Sequence, residues 1–452
     1  MARQMETDVA IAGAGLAGLT AARRLAQAGH EVLVVEARER VGGRLVSEPI
    51  GDGGQVEMGG QWIGPTQDRV LALLSELGLQ LFPTRTEGAN LIEVDGRLRR
   101  YRGTIPRLGP LVLLDLEQTR RRLGRLARRV DPARPWAASD AERLDSQTLA
   151  DWLRRTARTR LARELIALSC RTVWGAEPSE MSLLYTLGYV RAGGNFDALL
   201  DVEGGAQQDR VVGGSALLAT RIADGLGDRV VTSTPVERVE WTPGGVELHA
   251  GGVLVRGRRA VLAIPPGNLA RIACDPPLPE PQAQLARGMR GGRLIKVAAT
   301  YEEPFWRADG LSGEAVSLTG PLTVAFDNSP PSGTPGALTG FIGGTDVERY
   351  ATLDPGERRR IALDCFARLF GAPARDAAAF FERDWAAEPW SLGGPVSVMG
   401  PGAMTSFGHS LRDPVGPLHW AGTERASTWC GYMDGAVRSG ETAAEAIAAE
   451  LS

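Results

Sequence analysis

The order of apolar and polar residues at the amino-terminal end predicts a strand, a helix and a second strand in succession. Residues 9–12 are all apolar, as in a buried strand. Apolar residues then recur at helical spacing over residues 16–27, and Gly29 follows as a helix stop. A second strand is predicted over residues 31–35, and it finishes at Glu36. This pattern is typical of a parallel β-α-β unit and predicts an α/β fold.

Further along, helical and β-rich stretches alternate on a larger scale. Residues 104–205 show helical periodicity, whereas residues 230–240 and 245–254 alternate or cluster β-branched residues and are predicted to be strands. Residues 440–451 form an amphipathic helical pattern. With 452 residues, the chain has room for two or three domains.

A glycine-rich turn joins the first predicted strand to the first helix. Gly13, Gly15 and Gly18 form a G-x-G-x-x-G pattern. The first permits a tight turn, the second lets backbone approach a pyrophosphate, and the third lets the helix pack on the strand. The following helix start favours phosphate, and Glu36 stands where a carboxylate binds an unphosphorylated ribose. The pattern predicts a site for FAD or NAD; the alternative is a glycine turn in an ordinary β-α-β unit.

The segment after Glu36 favours FAD over NAD. It contains Arg38 and then Gly42, Gly43 and Arg44. A second glycine pair followed by an arginine resembles the extension found in FAD enzymes of the glutathione-reductase-like class. The other glycine pairs, at 213–214, 291–292 and 343–344, lack a flanking strand and helix that would mark a nicotinamide site.

Composition and charge exclude several function classes. Hydrophobic content of 43% and charged content of 23% are typical of a soluble globular protein, and a net charge of −3 gives no reason to expect nucleic acid. The basic stretch 97–134 is interpreted as the exposed face of a helix. The four cysteines and four histidines lack ligand spacing, so we expect neither a metal nor a disulfide framework. No signal peptide or membrane-spanning run is found, which predicts a cytoplasmic location.

Lys296 is the only lysine among 51 basic residues. Lysine is a compact amine whose pKa shifts when it is buried, whereas arginine is a planar fork that stays charged. Lys296 therefore either occupies a place where arginine does not fit or is a lysine that remains by chance. Composition alone does not decide between these alternatives.

Six further motifs carry a resemblance to a known family. They are GGQWIGPTQ at 59–67, VGGS at 212–215, AIPP at 263–266, YEEPFW at 301–306, AGTE at 421–424 and WCGYMDGA at 429–436. Together with the amino-terminal glycines they run in family order along nearly the whole chain. In these motifs the chain resembles the flavin-containing monoamine oxidases.

The resemblance implies a two-domain α/β flavoprotein. A glutathione-reductase-like Rossmann domain for FAD would be assembled from residues 1–82, 207–290 and 385–452. An α+β substrate domain would take residues 83–206 and 291–384. The proline-rich stretches 276–281 and 330–335 are expected to be loops rather than linkers.

The resemblance also assigns residues to the cofactor. Glu36 would bind the adenosine ribose, Arg44 a phosphate, and Met433 would offer its backbone N–H to the flavin ring. Lys296 would hold a water at flavin N5, and Tyr432 would be one of two aromatic walls beside the substrate amine. The full set for FAD is Gly13, Gly15, Gly18, Glu36, Arg38, Gly43, Arg44, Gly60, Gln61, Trp62, Val236, Trp385, Glu424, Tyr432, Met433 and Ala436.

The activity that the resemblance implies is FAD-dependent amine oxidation. A hydride passes from the carbon beside nitrogen to flavin N5, water hydrolyses the imine to a carbonyl product, and oxygen reoxidises the flavin to give hydrogen peroxide. The expected partners are a small-molecule amine and oxygen, and a homodimer is left open.

Two positions depart from the family pattern. Gly394 stands where mammalian members have a cysteine bonded to the flavin, so FAD should be bound non-covalently. Pro395 replaces the tyrosine of the second aromatic wall, and Trp390 is a candidate to supply a face instead. The change makes a bulkier, secondary or cyclic amine plausible.

The alternatives are an L-amino-acid oxidase or a desaturase in a biosynthetic pathway, and a non-catalytic flavin scaffold. Related amino-acid oxidases bind the substrate carboxylate with an arginine near residues 59–60. Trp62 stands at about that position here, so an amino acid would bring an unpaired carboxylate that is costly to bury.

Overall fold

Two large sheets, each built from distant parts of the chain, organise the protein. The computed structural model describes residues 3–51, 54–103 and 108–452. The strands are β1 (Arg3–Ala12), β2 (Val32–Val35), β3 (Ser47–Ile50), β4 (Gly54–Glu57), β5 (Trp62–Ile63), β6 (Leu81–Pro83), β7 (Ala89–Val94), β8 (Arg97–Tyr101), β9 (Asp209–Val211), β10 (Val230–Val231), β11 (Val236–Thr242), β12 (Gly245–Ala250), β13 (Val253–Leu262), β14 (Ala273–Asp275), β15 (Arg290–Gly291), β16 (Leu294–Tyr301), β17 (Leu311–Ser317), β18 (Leu322–Asp327), β19 (Gly336–Gly343), β20 (Ala379–Asp384), β21 (Ser397–Val398) and β22 (Leu418–Trp420). The helices are α1 (Leu16–Gln27), α2 (Asp68–Glu76), α3 (Pro110–Ala127), α4 (Ala141–Asp145), α5 (Leu149–Thr156), α6 (Arg160–Trp174), α7 (Leu183–Ala192), α8 (Ala216–Leu226), α9 (Pro266–Leu269), α10 (Glu280–Gly288), α11 (Phe305–Ala308), α12 (Asp346–Ala351), α13 (Pro355–Phe370), α14 (Ala403–Phe407) and α15 (Met433–Leu451).

The first sheet has the order β10-β2-β1-β13-β12-β11-β14, with β22 paired to the end of β13. Strand β1 is parallel to both β2 and β13, as the β-α-β pattern predicts. Alternate residues of β1 enter two cores: Val9 and Ile11 pack with α1 and α15, while Ala10 packs on the other face. A Cβ on Gly440 of α15 would lie 2.3 Å from the carbonyl oxygen of Ala17, so these two helices touch through backbone.

The second sheet has the order β20-β16-β19-β18-β17-β7-β8 and is antiparallel except where β17 meets β7. Strand β16 is buried along its whole length between β19 and β20. Helix α13 covers one face of the sheet. Helices α3 to α7 build a separate helical core around Trp174.

The strands of the first sheet all fall within 1–82, 207–290 and 385–452, and those of the second within 83–206 and 291–384. The division of the chain into two interleaved domains stays a prediction, as do the boundary residues.

Several predicted elements have different limits in the structure. Residues 230–240 are not one strand: β10 ends at Val231, and the chain turns before β11, with Ser233 at φ 54°. Residues 245–254 are likewise divided by a turn at Gly251 and Gly252. The final helix begins at Met433 rather than 440. The basic stretch 97–134 comprises exposed strand β8 as well as α3, and residues 104–107 within it lie outside the described part.

Candidate active site

A cavity of about 500 Å³ is lined by residues of both sheets. Glu36 and Val236 lie at one end of it, and Lys296 and Tyr432 at the other. Residues assigned to the cofactor from the sequence that line it are Gly13, Gly15, Glu36, Arg38, Gly43, Arg44, Gly60, Gln61, Trp62, Val236, Trp385, Tyr432, Met433 and Ala436. Gly18 and Glu424 stand behind this lining, with the contacts described below.

The first end of the cavity is built around Glu36, directly after β2. Its carboxylate accepts hydrogen bonds from the backbone N–H of Ala14 at 2.7 Å and of Arg38 at 3.0 Å. The turn between β10 and β11 holds this segment, because Thr234 N–H donates to the Glu36 carbonyl at 2.7 Å. A carboxylate with two oxygens keeps further acceptor capacity, which suits ribose hydroxyls.

The glycines of the turn have separate tasks. A Cβ on Gly18 would lie 2.0 Å from the carbonyl oxygen of Gly13, so Gly18 allows α1 to sit against the turn. A Cβ on Gly15 would meet nothing within 4 Å, and Gly15 borders the cavity. Gly18 therefore acts through close packing, and Gly15 leaves space beside the cavity.

Two helix starts at the cavity lack side-chain caps. Helix α1 begins after Gly15 and α15 after Tyr432, and neither residue caps its helix with a side chain. Uncapped N–H groups and the positive end of a helix dipole favour anionic or electron-rich ligand groups. FAD has a pyrophosphate, an adenosine and a flavin part. These parts fit the two helix starts, the Glu36 carboxylate and the open glycine turn.

Arg44 and Glu424 form a bidentate ion pair at the middle of the cavity. The two hydrogen bonds measure 2.6 and 2.9 Å, and Arg44 also donates to the Pro395 carbonyl at 2.8 Å. Burial alone would raise the pKa of Glu424, but the Arg44 guanidinium outweighs it and the pKa lies below its ordinary value. Arg44 lines the cavity, whereas Glu424 lies behind it. Glu424 therefore acts on the cavity through its ion pair with Arg44. The phosphate contact of Arg44 stays a prediction.

Lys296 lies in the middle of β16, and its side chain is 2% exposed. Its ammonium donates to the Gly59 carbonyl at 3.0 Å and to the Gln61 side-chain oxygen. It also lies over the rings of Trp62 and Phe341, at 5.5 and 5.4 Å from their centroids. Burial lowers the pKa of Lys296 to about 7, with Glu57 opposing that shift. A guanidinium is wider than this slot between two acceptors and two rings.

Further aromatic surface beside Tyr432 comes from an element that the sequence did not suggest. Tyr189 of α7 lies 6.4 Å from Tyr432 between ring centroids, tilted by 44°, and both line the cavity. Trp429 packs edge-on against Tyr432 at 5.0 Å. The Tyr432 hydroxyl donates to the Leu199 carbonyl at 3.2 Å, which fixes the ring.

Trp390 lines the same cavity but at the opposite end. Its neighbour Ser391 accepts a hydrogen bond from Arg38 at 2.8 Å, and the Pro389 carbonyl accepts one from Asn268 at 2.9 Å. These contacts place Trp390 beside the Glu36 end. The prediction that Trp390 supplies a face opposite Tyr432 is therefore corrected, because its chain neighbours tie it to the other end.

Gly394 and Cys430 differ in their access to the cavity. Gly394 lines it beside Trp385, whose indole N–H donates to the Met58 carbonyl at 2.9 Å. Cys430 packs instead against the helical core, and burial raises the pKa of its thiol to about 12. A thiol in that state is a poor nucleophile.

The end of the cavity near Lys296 is apolar. Its lining there consists of Thr172, Val173, Tyr189, Leu199, Ala206, Gln207, Leu294, Phe341 and Tyr432. The lining also contains the charged residues Glu36, Arg38, Arg44, Glu237 and Arg271. Of these, Arg44 acts electrostatically on Tyr189 and is already paired with Glu424. Lys296 is the amine that packs against the rings of Trp62 and Phe341.

Sequence reasoning missed Tyr189, Phe341 and Glu57. Tyr189 and Phe341 lie in apolar stretches that look like ordinary core, so nothing local marks them. Glu57 precedes Gly59 by two residues and is 3% exposed. An acid next to a glycine motif on a buried strand was a signal that could have identified it.

Glu240, Glu247 and His249 form a small exposed cluster on β11 and β12. Arg238 contacts Glu240 at 2.9 Å, and Arg256 contacts Glu247 at 2.9 Å. Both carboxylates are therefore already paired with arginines. In the part of the chain that the structure describes, no helix is both long and apolar enough to cross a membrane.

Comparisons with known proteins agree with this site. The model of the flavin-containing amine oxidoreductase family matches residues 16–448. The chain is 46% identical over 444 residues to AofH, a Mycobacterium tuberculosis protein whose name describes a flavin-containing monoamine oxidase; the match covers 98% of this chain and 97% of AofH. It is 36% identical over 461 residues to an L-amino acid dehydrogenase of Synechocystis, covering 99% and 96%.

The fold is similar to that of solved amine oxidases. Cyclohexylamine oxidase from Brevibacterium oxydans superposes with a TM-score of 0.95 at 39% identity, covering 99% of this chain and all of that one. The sequence match and the fold agree. The chain belongs to the flavin-containing amine oxidoreductase family and is an FAD-dependent enzyme that oxidises amines.

Proposed function

We propose that the enzyme oxidises neutral monoamines whose body is apolar, and that it binds FAD without a covalent bond. The observation that carries the substrate class is the lining formed by Tyr189, Leu199, Phe341 and Tyr432, which is aromatic and aliphatic. Arg44, the charged lining residue that acts on Tyr189, is already paired with Glu424. A second ammonium or a carboxylate on the substrate would be buried there without a partner, which is costly.

Each residue of the site has a defined task in this proposal. FAD, when bound, supplies the chemistry by accepting a hydride from the carbon beside nitrogen and passing electrons to oxygen. Tyr432 presents aromatic surface to the amine, Tyr189 packs against it, and the rings favour partial positive charge at nitrogen. Lys296 holds positive charge and a polar hydrogen at the same end, where it orients water.

Binding at the other end is divided between backbone and side chains. Glu36 holds the ribose, the start of α1 and the space beside Gly15 take the pyrophosphate, and Arg44 is kept in place by Glu424. A homodimer and a cytoplasmic location stay predictions.

An anaerobic screen with matched substrates tests the substrate class. We expect phenethylamine and hexylamine to bleach the flavin at least about tenfold faster than phenylalanine and 1,6-diaminohexane, since each unpaired buried charge costs more than about 1.4 kcal/mol. The pairs share a carbon skeleton and differ by one charged group. Phenylalanine bleaching as fast as phenethylamine would overturn the proposal in favour of amino-acid oxidation.

Acid precipitation tests the mode of flavin binding. Gly394 offers no sulfur to the flavin, and Cys430 lies outside the cavity lining with its thiol protonated. We expect all yellow chromophore to stay in the supernatant after the protein is precipitated. Flavin that sediments with the protein, and resists washing in denaturant, would show a covalent bond.

A further inference from the structure

Three charged side chains from different strands meet beneath the apolar end of the cavity. They are Glu57 of β4, Arg210 of β9 and Lys296 of β16, with exposures of 3, 5 and 2%. Lys296 reaches the cavity, whereas Glu57 and Arg210 lie behind its lining. Groups this deeply buried stay charged only when opposite charge or hydrogen bonds compensate the loss of water.

Both cations have neutral direct partners. Lys296 donates to the Gly59 carbonyl and the Gln61 side chain. Arg210 donates to the carbonyls of Ser329 at 2.8 Å and Asn328 at 3.0 Å. Carbonyl oxygens satisfy hydrogen bonds but do not balance a positive charge.

Among the described residues, two carboxylates act electrostatically on these cations, namely Glu57 and Asp327. Asp327 is already bidentate to Arg307, at 2.8 and 3.1 Å. Glu57 is held by uncharged donors, the Ser215 backbone N–H at 2.6 Å and the Ser47 hydroxyl at 2.8 Å. Hydrogen bonds of this kind favour the charged form of a carboxyl group, so the negative charge of Glu57 is free to act on its surroundings.

The chain also fixes Glu57 relative to the ammonium. Gly59, whose carbonyl accepts from Lys296, follows Glu57 by two residues. The Ser215 hydroxyl that contacts Glu57 also donates to the Gly60 carbonyl at 2.5 Å. Hydrogen bonds and the chain itself therefore connect the acid, the glycine pair and the lysine.

We propose that Glu57 is a positioning residue whose negative charge favours the protonated form of Lys296 near neutral pH. Burial lowers the pKa of Lys296 to about 7, with Glu57 raising it and Arg210 lowering it further. Burial raises the pKa of Glu57 itself, which the Ser215 N–H and Lys296 oppose. The proposal rests on the role of Lys296 in the proposed function.

Other charged groups near Lys296 are directed elsewhere. Arg383 stands opposite it on β20, but its guanidinium faces Glu48 at 3.4 Å and Glu388 at 3.8 Å. Opposite on β19 stands Phe341, which does not titrate. The charge on Lys296 is therefore governed by Glu57 and Arg210.

The test uses the fact that the chain has one lysine. Labelling the holoenzyme with lysine carrying ¹³C at the ε-carbon gives an NMR signal from Lys296 alone, whose chemical shift reports protonation directly. We expect a midpoint near 7 in the wild type. In Glu57→Gln the midpoint should fall by about one pH unit or more, because the opposing charge is removed and the shape is kept. Glu57→Asp keeps the negative charge and should therefore keep the midpoint close to that of the wild type.

Two further variants keep the test decisive. Arg210→Met removes the like charge and should raise the midpoint, which tests the same electrostatics if Glu57→Gln does not fold. Glu48→Gln removes an acid on the neighbouring strand β3 and should leave the midpoint unchanged. An unchanged midpoint in both Glu57→Gln and Arg210→Met would overturn the proposal.

The pH profile of flavin reoxidation by oxygen adds a functional readout. The rate should fall as pH rises through the Lys296 midpoint, and in Glu57→Gln the fall should begin at lower pH. A shifted NMR midpoint with no effect on reoxidation would keep the charge relation and reject the role of Lys296. Absence of bleaching by any amine would reject the substrate class while the NMR titration stands.

Discussion

Lys296→Met slows reoxidation of the flavin by oxygen by about 100-fold, the size of effect expected when one preorganised charge is removed from a buried site. FAD affinity should change less than tenfold, because the residues at the Glu36 end, which are proposed to hold the adenosine and pyrophosphate, are untouched. Stopped-flow mixing of the reduced enzyme with oxygen measures the first quantity, and flavin fluorescence on dilution measures the second.

The pH dependence of the same rate gives an independent check. The pKa of Lys296 is lowered to about 7, so the ammonium is present below that value and is lost as pH rises through it. The wild-type rate should therefore decline from neutral to alkaline pH, while Lys296→Met should be flat. Lys296→Arg is the matched control for charge, and it should stay slow because a planar fork does not fit between Gly59 and Gln61. Equal reoxidation rates in wild type and Lys296→Met would remove the assigned role.

Gly18→Ala abolishes stable FAD binding because it separates α1 from the turn. The new methyl carbon would lie 2.0 Å from the Gly13 carbonyl oxygen and 2.9 Å from the Ala263 side chain, so backbone has to move. We expect a loss of about 3 kcal/mol or more in unfolding free energy, at the upper end for overpacking. Thermal unfolding and the ratio of flavin to protein absorbance measure the two effects.

Gly15→Ala, three residues earlier in the chain, is the matched control. A Cβ there meets no atom within 4 Å, so the fold should keep its melting temperature. The methyl group would nevertheless project where the pyrophosphate is expected, and FAD affinity should fall at least about tenfold, or 1.4 kcal/mol. If Gly18→Ala folded and bound FAD like the wild type, the packing assigned to Gly18 would be wrong.

The cofactor end of the site was largely readable from the sequence, and the reason is local. Gly13, Gly15 and Glu36 belong to one continuous β-α-β unit, where spacing along the chain fixes positions in space. Even there, one strand was predicted over residues 230–240. The break before Val236 arises from Ser233 at positive φ and from hydrogen bonds to the segment after β2, which are long-range contacts.

The substrate end was less readable because its walls come from separate elements. Tyr189 is on α7 and Phe341 on β19, and each lies in an apolar run with no distinguishing pattern. Trp390 shows the opposite failure. It is close in sequence to Pro395. The contacts of its two chain neighbours with Asn268 and Arg38, however, place it at the other end of the cavity.

The single lysine, buried in the site, also shapes the chemistry of the protein surface. Amine oxidation releases carbonyl products, and aldehydes condense with unprotonated primary amines. Surface cations in this chain are arginines, whose guanidinium groups stay protonated and react poorly in that way. With Lys296 only 2% exposed, the outer surface presents no lysine amine to an aldehyde leaving the cavity. An enzyme of this composition offers no surface lysine with which its own carbonyl product could form a Schiff base.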